Sequence, residues 1–158
     1  SSAASDVYKR QIYRKPDSSI IDSAMYEEKG KFYLFVKSSP NPDNLLLLVS
    51  DHVNGKFERV EGFDDSMGAQ TKGMYEAPTA VKLADGRWCL FADFYGAGCA
   101  GQGYVPFVSD DLTKGVFTRA DEAFHFPYGF KHGTILPITE EEYERMLARD
   151  WTDVPDLR

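Results

Sequence analysis

One pattern constrains this chain more than any other: a similar run of residues returns about every 55 positions. Asp22, Glu76 and His132 lie 54 and 56 residues apart, and each of them opens a strand-like run. A self-similar period of this size indicates a stacked or radial repeat, because a single unit cannot bury its apolar face alone. We therefore expect these three polar residues to occupy one shared position in successive units.

Each unit contains four short runs rich in β-branched and aromatic residues, separated by turns that contain Gly, Asn or Asp. The clearest correspondence joins residues 31–36 to residues 87–92, which follow turns at Gly30 and Gly86. Such runs predict an antiparallel meander. The remaining expected strands include the fourth runs, 56–59 and 116–119, and the first run of a third unit, 132–138.

Four-stranded units of this length are typical of β-propeller blades, which run about 40–50 residues each. In a propeller, equivalent positions of successive blades converge on the central channel. The sequence therefore predicts an all-β fold: two full propeller blades plus the start of a third. The recurrence of Asp22, Glu76 and His132 then predicts a functional cluster of two carboxyl groups and an imidazole.

The end of the chain departs from this pattern. Thr139 and Glu142 form a capping box that predicts a short C-terminal helix. Tyr143, Met146 and Leu147 form an apolar stripe on that helix, which we expect to dock. The predicted organisation is thus a propeller domain over residues 12–150 and a tail over residues 151–158.

Residues 1–11 resemble a translated sequencing-adapter junction. We expect that they do not belong to the natural protein and exclude them from the fold prediction. The alternative is a short polar segment that leads into the domain.

Composition narrows the set of partners. The net charge of −7 and the pI near 4.9 argue against nucleic acid and against an anionic membrane surface. With only two cysteines, a disulfide framework is not expected. Cys89 lies inside a predicted strand, where we expect a buried apolar residue.

Several residues near the predicted cluster are candidates for contacting a substrate. Asp93 either points into the cleft or caps a strand end. Tyr95 and Tyr128 are candidate aromatic platforms for a sugar ring. Core packing is the alternative for aromatic residues, and we predict it between the blades for Phe32, Tyr33, Phe35, Trp88 and Phe91. Lys131 is a candidate for bonding sugar hydroxyls and is favoured over Lys37, with a solvated role as the alternative for both.

The segments 20–24, 75–79 and 130–135, followed by 141–143, resemble the later blades of glycoside hydrolase family 43. The resemblance covers about residues 12–150 and implies part of a five-bladed β-propeller. It also implies an enzyme that removes arabinose or xylose from plant polysaccharide with inversion of configuration. No cofactor is required, although many members hold a calcium or sodium ion at the propeller centre.

The resemblance also implies roles for the repeated residues. Glu76 would be the general acid, and Asp22 would tune the acid and orient the substrate. Apolar neighbours in the sequence and Asp22 on the adjacent blade are expected to favour the protonated form of Glu76. His132 would bind the substrate or, through water, the central ion. The catalytic base of the family is an aspartate on the first blade, upstream of this sequence, and Asp17 lacks the expected strand-start context. We therefore expect no turnover from this chain alone, and a carbohydrate-binding propeller without catalysis is the alternative.

Overall fold

The computed structural model describes residues 12–14, 16, 19–39, 45–70, 75–95, 103–124 and 131–149. Two antiparallel sheets of four strands each make up most of this part of the chain, and in both sheets the strand order follows the sequence. The first sheet contains β1 (Ser19–Glu28), β2 (Lys31–Ser39), β3 (Leu45–Ser50) and β4 (Glu58–Arg59). The second sheet contains β5 (Tyr75–Lys82), β6 (Trp88–Phe94), β7 (Gly103–Ser109) and β8 (Thr118–Arg119). The helices are α1 (Glu61–Gln70) and α2 (Glu140–Ala148), and a short 3-10 turn spans Asp121–Ala123.

The two meanders confirm the predicted all-β class and have the size and strand order of propeller blades. Their outer strands, β4 and β8, are only two residues long, although four-residue runs were expected. The reason lies in the residue before each strand. Phe57 and Phe117 are almost completely buried, so these parts of the runs turn into the core instead of continuing the pairing.

The first strand of each sheet contains a β-bulge near its beginning. The register shifts between Ile21 and Ala24 in β1, and between Glu76 and Thr79 in β5. A bulge inserts one extra residue and redirects the side chains around it. The extra residues include Asp22 and Ala77, which have positive φ angles of 51° and 47°.

The positions of these bulges show that the predicted repeat is wrong by one residue in the second unit. Asp22, Ala77 and His132 all have positive φ, and they are spaced by 55 residues each time. Ile21 pairs with Lys37 as Glu76 pairs with Asp93. The structural counterpart of Asp22 is therefore Ala77, and Glu76 lies one position earlier. Only Asp22 and His132 share the position that was predicted for all three residues.

A shared apolar core holds the two sheets together. Tyr33 and Phe35 from β2 pack in one buried cluster with Trp88 of β6, as expected for residues between blades. Phe32 and Phe91 were predicted for the same core but face the outer sides of the two sheets. This alternation follows from the two-residue period of a strand. The shared core brings β1 and β2 into contact with β5.

Helix α1 was not predicted. Its buried residues Phe63 and Met67, with Val60 just before it, face the shared core. The Ser66 hydroxyl donates to the carbonyl oxygen of Phe117 at 2.7 Å and accepts from its N–H at 2.8 Å. The helix therefore ties the end of the first unit to the last strand of the second.

The segment 132–138 was predicted to be a strand, but no strand is assigned there in the described residues. A strand is defined by its ladder of hydrogen bonds, and this segment has no described neighbour with which to form one. It nevertheless lies along the second sheet. Ile135 packs on the outer cluster of Cys89, Phe91 and Tyr104.

The C-terminal helix α2 is confirmed together with its capping box. Thr139 accepts from the Glu142 N–H, and the Glu142 carboxylate accepts from the Thr139 N–H at 2.7 Å. The predicted docking of its apolar stripe is wrong for the described part of the chain, since Tyr143, Met146 and Leu147 are 46–63% exposed. Neither described helix has the length and apolar composition needed to cross a membrane. The predicted segments 1–11 and 151–158 lie outside the described residues.

Candidate active site

Side chains from both sheets meet at one edge of the structure. Glu76, near the start of β5, pairs directly with Asp93, near the end of β6. Lys37 lies near the end of β2, and the segment that begins at Lys131 crosses the same edge. These positions are distant in the sequence, but antiparallel pairing places the start of one strand beside the end of the next.

The Glu76 carboxylate binds two cationic or potentially cationic groups. Its Oε2 accepts from Lys37 Nζ at 2.6 Å, and its Oε1 lies 3.2 Å from His132 Nε2. Burial alone would raise the pKa of Glu76. The hydrogen bond and charge of Lys37, together with His132, outweigh burial and lower the pKa below its usual value. The sequence-based expectation that the surroundings of Glu76 favour its protonated form is therefore wrong for the free protein.

Asp93 is the opposite case, because its side chain is completely buried. Its Oδ2 accepts from the backbone N–H of His132 at 2.9 Å and lies 3.3 Å from His132 Nε2. Its Oδ1 has no hydrogen-bond partner among the described residues. Burial raises the pKa of Asp93, and its contact with His132 only partly offsets this effect. The sequence left open whether Asp93 points into the cleft or caps a strand end. Its side chain contacts His132 but is buried, and its role in binding a substrate stays a prediction.

Asp22 contacts the site through the backbone. Its Oδ2 accepts from the N–H of Ala77 at 3.2 Å, so the carboxylate of the first bulge holds the bulge of the next sheet. The third positive-φ residue behaves similarly, since the N–H of His132 donates to Asp93. The backbone amides of Ala77 and His132, both residues with positive φ, are thus each bonded to a carboxylate of the preceding unit. Asp22 lies beside the backbone that orients Glu76 and not against its carboxylate.

The remaining candidates are placed unevenly. Tyr95 lies at the site, with Lys37 Nζ 4.4 Å above its ring centroid. Lys131 is exposed, and its charge acts to lower the pKa of Asp93. Tyr128 lies outside the described residues. Lys37 was ranked below Lys131 from the sequence, yet it makes the shortest contact of the site. Alignment of residues 31–36 with 87–92 could have found it, because Lys37 and Asp93 immediately follow equivalent runs.

Glu76, Asp93 and His132 each offer an atom for binding a cation, and these atoms lie within 4.8 Å of one another. Calcium prefers six to eight oxygen ligands, whereas this set supplies one nitrogen and two carboxylates. Lys37 already places a positive charge 2.6 Å from one of those carboxylates. The donors therefore do not fit a directly bound calcium or sodium ion, and the ion expected near His132 stays a prediction.

The distances also limit the acid–base chemistry that these groups can perform together. An inverting glycosidase needs two carboxyl groups about 6.5–9.5 Å apart, so that a water molecule fits between the base and the sugar. The clustered oxygens of Glu76 and Asp93 lie within 4.8 Å. Glu76 and Asp93 are thus too close to be the acid and base of such a reaction.

A comparison with protein families matches residues 4–144 to a family described as a probable glycosyl hydrolase domain and related to glycoside hydrolase family 43. The match covers most of the chain and confirms the resemblance seen in the sequence. Such a domain acts on a carbohydrate substrate. No curated protein was found to match the chain.

Proposed function

Because the chain belongs to this glycoside hydrolase 43-related family of probable glycosyl hydrolase domains, we propose that it is part of an inverting glycosidase. The substrate would be an arabinose or xylose side chain of a plant polysaccharide. The observation that carries this proposal is the position of Glu76 at a partly open edge, between Lys37 and His132 and beside a second carboxyl group. No cofactor is required for this chemistry.

In this proposal Glu76 is the general acid that protonates the leaving oxygen. A general acid must come within hydrogen-bond distance of the reacting group. The Glu76 side chain is 19% exposed, whereas that of Asp93 is 0% exposed. Asp22 orients the acid through the Ala77 backbone, and His132, whose side chain is 51% exposed, is able to contact the sugar. Asp93, Tyr95, Tyr128 and Lys131 complete the proposed substrate-binding set.

The catalytic base is proposed to come from outside this cluster, in agreement with the family resemblance. Asp93 lies closer to Glu76 than the separation that inversion needs, and in this proposal Asp22 orients the acid instead of activating water. We therefore propose that the 158-residue chain binds its saccharide but does not hydrolyse it unaided.

A second candidate function is carbohydrate binding without catalysis. The pairing with Lys37 favours it, since an ionised Glu76 cannot donate a proton. The two functions differ in whether Glu76 ever becomes protonated beside a bound sugar.

Rescue by azide distinguishes these functions. A small anion can replace the missing base by attacking the anomeric carbon, while Glu76 protonates the departing alkoxide or phenoxide. The probes are aryl arabinofuranosides and aryl xylosides with poor leaving groups. We expect no hydrolysis without azide, and a glycosyl azide of inverted configuration when azide is present.

Matched variants show whether Glu76 supplies the proton. Glu76→Gln should lower the azide-dependent rate by about 10²–10⁴-fold, the usual contribution of a general acid. Glu61→Gln, at an exposed position on α1, should leave the rate unchanged. Ordinary hydrolysis without azide would contradict the proposed external base. Saccharide binding without any azide reaction would favour the non-catalytic function.

A further inference from the structure

The ammonium group of Lys37 serves two partners in the second sheet at once. It lies 2.6 Å from Glu76 Oε2 and 4.4 Å from the ring centroid of Tyr95. Its side chain is only 12% exposed, and that of Glu76 is 19% exposed. Lys37 itself belongs to the first sheet, so its side chain reaches across the boundary between the two sheets.

This position conflicts with the use of Tyr95 as a sugar platform. A sugar stacks on an aromatic side chain by placing its ring against the face of the aromatic ring. The ammonium of Lys37 already lies over one face of Tyr95, at a distance typical of a cation–π contact. A saccharide therefore cannot stack on that face until Lys37 moves away.

On the premise of the proposed function, we propose that Lys37 is a positioning residue that leaves Tyr95 and Glu76 when a saccharide binds. The sugar ring takes the place of the ammonium on the Tyr95 face. The same movement deprives Glu76 of its nearest cation. One proton then passes from solvent to a Glu76 carboxylate oxygen, and no other bond is made or broken.

The other groups around Glu76 act in opposite directions on its protonation. Negative charge on Asp93 disfavours a second, unpaired carboxylate at Glu76. The imidazole of His132 stays in contact with Oε1 and opposes proton uptake. The groups that face Glu76 are Lys37 on β2, Asp93 on β6, and His132 on the segment after residue 130. Asp22 on β1 bonds the adjacent Ala77 backbone, and the charge of Lys131 acts on Asp93.

The exchange explains how one site meets two opposing requirements. In the free protein the carboxylate of Glu76 needs a cation, because it is largely buried. In the bound state the general acid needs a proton. Exchange of Lys37 for the sugar links the arrival of substrate to the supply of that proton.

Calorimetric titration of the full chain tests the proposal. Arabino- and xylo-oligosaccharides are titrated near neutral pH in two buffers that differ in their heat of ionisation, which gives the number of protons taken up per saccharide. For the unaltered chain we expect net uptake approaching one proton, with binding that tightens as the pH falls. Lys37→Ala should bind about tenfold more tightly, since about 1.4 kcal/mol of displaced contacts corresponds to tenfold in affinity.

Lys37→Ala should also lose the proton uptake, and Lys37→Arg should restore it, because a guanidinium group pairs with carboxylates and stacks on aromatic rings. Lys82→Ala is the matched control. Lys82 makes an ion pair with Glu28 at 2.8 Å, toward the opposite end of the strands. The Lys82→Ala variant should change neither the affinity for the saccharide nor the proton uptake. Lys37→Met, of similar length but uncharged, replaces the alanine variant if the latter does not fold, and should also lose the uptake.

Three results would contradict the proposed exchange. Saccharide binding by the unaltered chain without proton uptake overturns the exchange and leaves the proposed function intact. Weaker binding by Lys37→Ala also overturns it, because the lysine would then contact the sugar directly. If none of these saccharides binds, the proposed function and the exchange both fail.

Discussion

Gly115 offers the sharpest test of how the two units pack together. It lies in the turn between β7 and β8 with a φ of +65°, and its backbone faces residues of the first unit. A Cβ atom at this position would lie 2.5 Å from the backbone nitrogen of Phe63 and 2.8 Å from Val60 Cγ1. Gly115→Ala therefore has two costs, one for the left-handed conformation and one for the steric overlap.

Two other glycines separate these costs. Gly30 and Gly86 also have positive φ, of +78° and +90°, but a Cβ on either would meet nothing within 4 Å. Alanine at these positions should cost only the left-handed conformation, about 1–2 kcal/mol. The overlap at Gly115 adds about 1–3 kcal/mol, the usual cost of overpacking. We expect Gly115→Ala to lower the free energy of unfolding by about 2–5 kcal/mol in total.

Urea denaturation followed by tryptophan fluorescence measures these differences, because Trp88 lies in the shared core. The three variants should be compared at the same protein concentration. If Gly115→Ala costs no more than Gly30→Ala, the backbone of Gly115 does not approach Phe63 and Val60 as closely as the 2.5 and 2.8 Å distances indicate. The contact between α1 and the second sheet would then be refuted.

Three further predictions follow from single side chains. Ser66→Ala should lower the free energy of unfolding by about 1–3 kcal/mol, because it removes the hydroxyl that bonds the N–H and C=O of Phe117. The control Ser19→Ala, at an exposed strand end, should change the free energy of unfolding by less than about 0.5 kcal/mol. Asp93 has a raised pKa, so the folded state holds its proton more tightly and stability falls as the pH rises from about 3.8 through the folded pKa. Asp93→Asn should remove this fall in urea titrations between pH 3 and 7, and an unchanged pH profile would contradict the argument. Burial raises the pKa of Cys89 to about 12, so peptide mapping should find it unlabelled by iodoacetamide in the native protein and labelled in urea.

The fold was largely predictable because its signals are local. Alternation of apolar residues and the turn glycines marked the strands of both meanders. Helix α1 was missed although Val60, Phe63 and Met67 carry its spacing, since a short helix between two strands was not expected from a four-stranded repeat. The strand predicted at 132–138 failed for a different reason: pairing depends on a neighbour, which a segment's own sequence does not specify.

The site was predicted in part. Proximity of Glu76 and His132 followed from the repeat, because the starts of successive units meet at one edge. The ionisation of Glu76 did not follow from it, because that depends on which cation lies within about 3 Å. Lys37 provides this cation from the neighbouring sheet, and no local pattern around Glu76 indicates it.

The one-residue difference in register shows how a repeat can assign different tasks to similar residues. At a bulge, the residue with positive φ and its predecessor direct their side chains differently. In the first unit the bulge residue itself carries the carboxyl group, and the Asp22 carboxylate accepts from the amide of Ala77. In the second unit the acidic residue precedes the bulge, and the Glu76 carboxylate contacts Lys37 and His132. A carboxyl group placed one position earlier in the repeat is thus not engaged with the next backbone amide but contacts the side chains of Lys37 and His132.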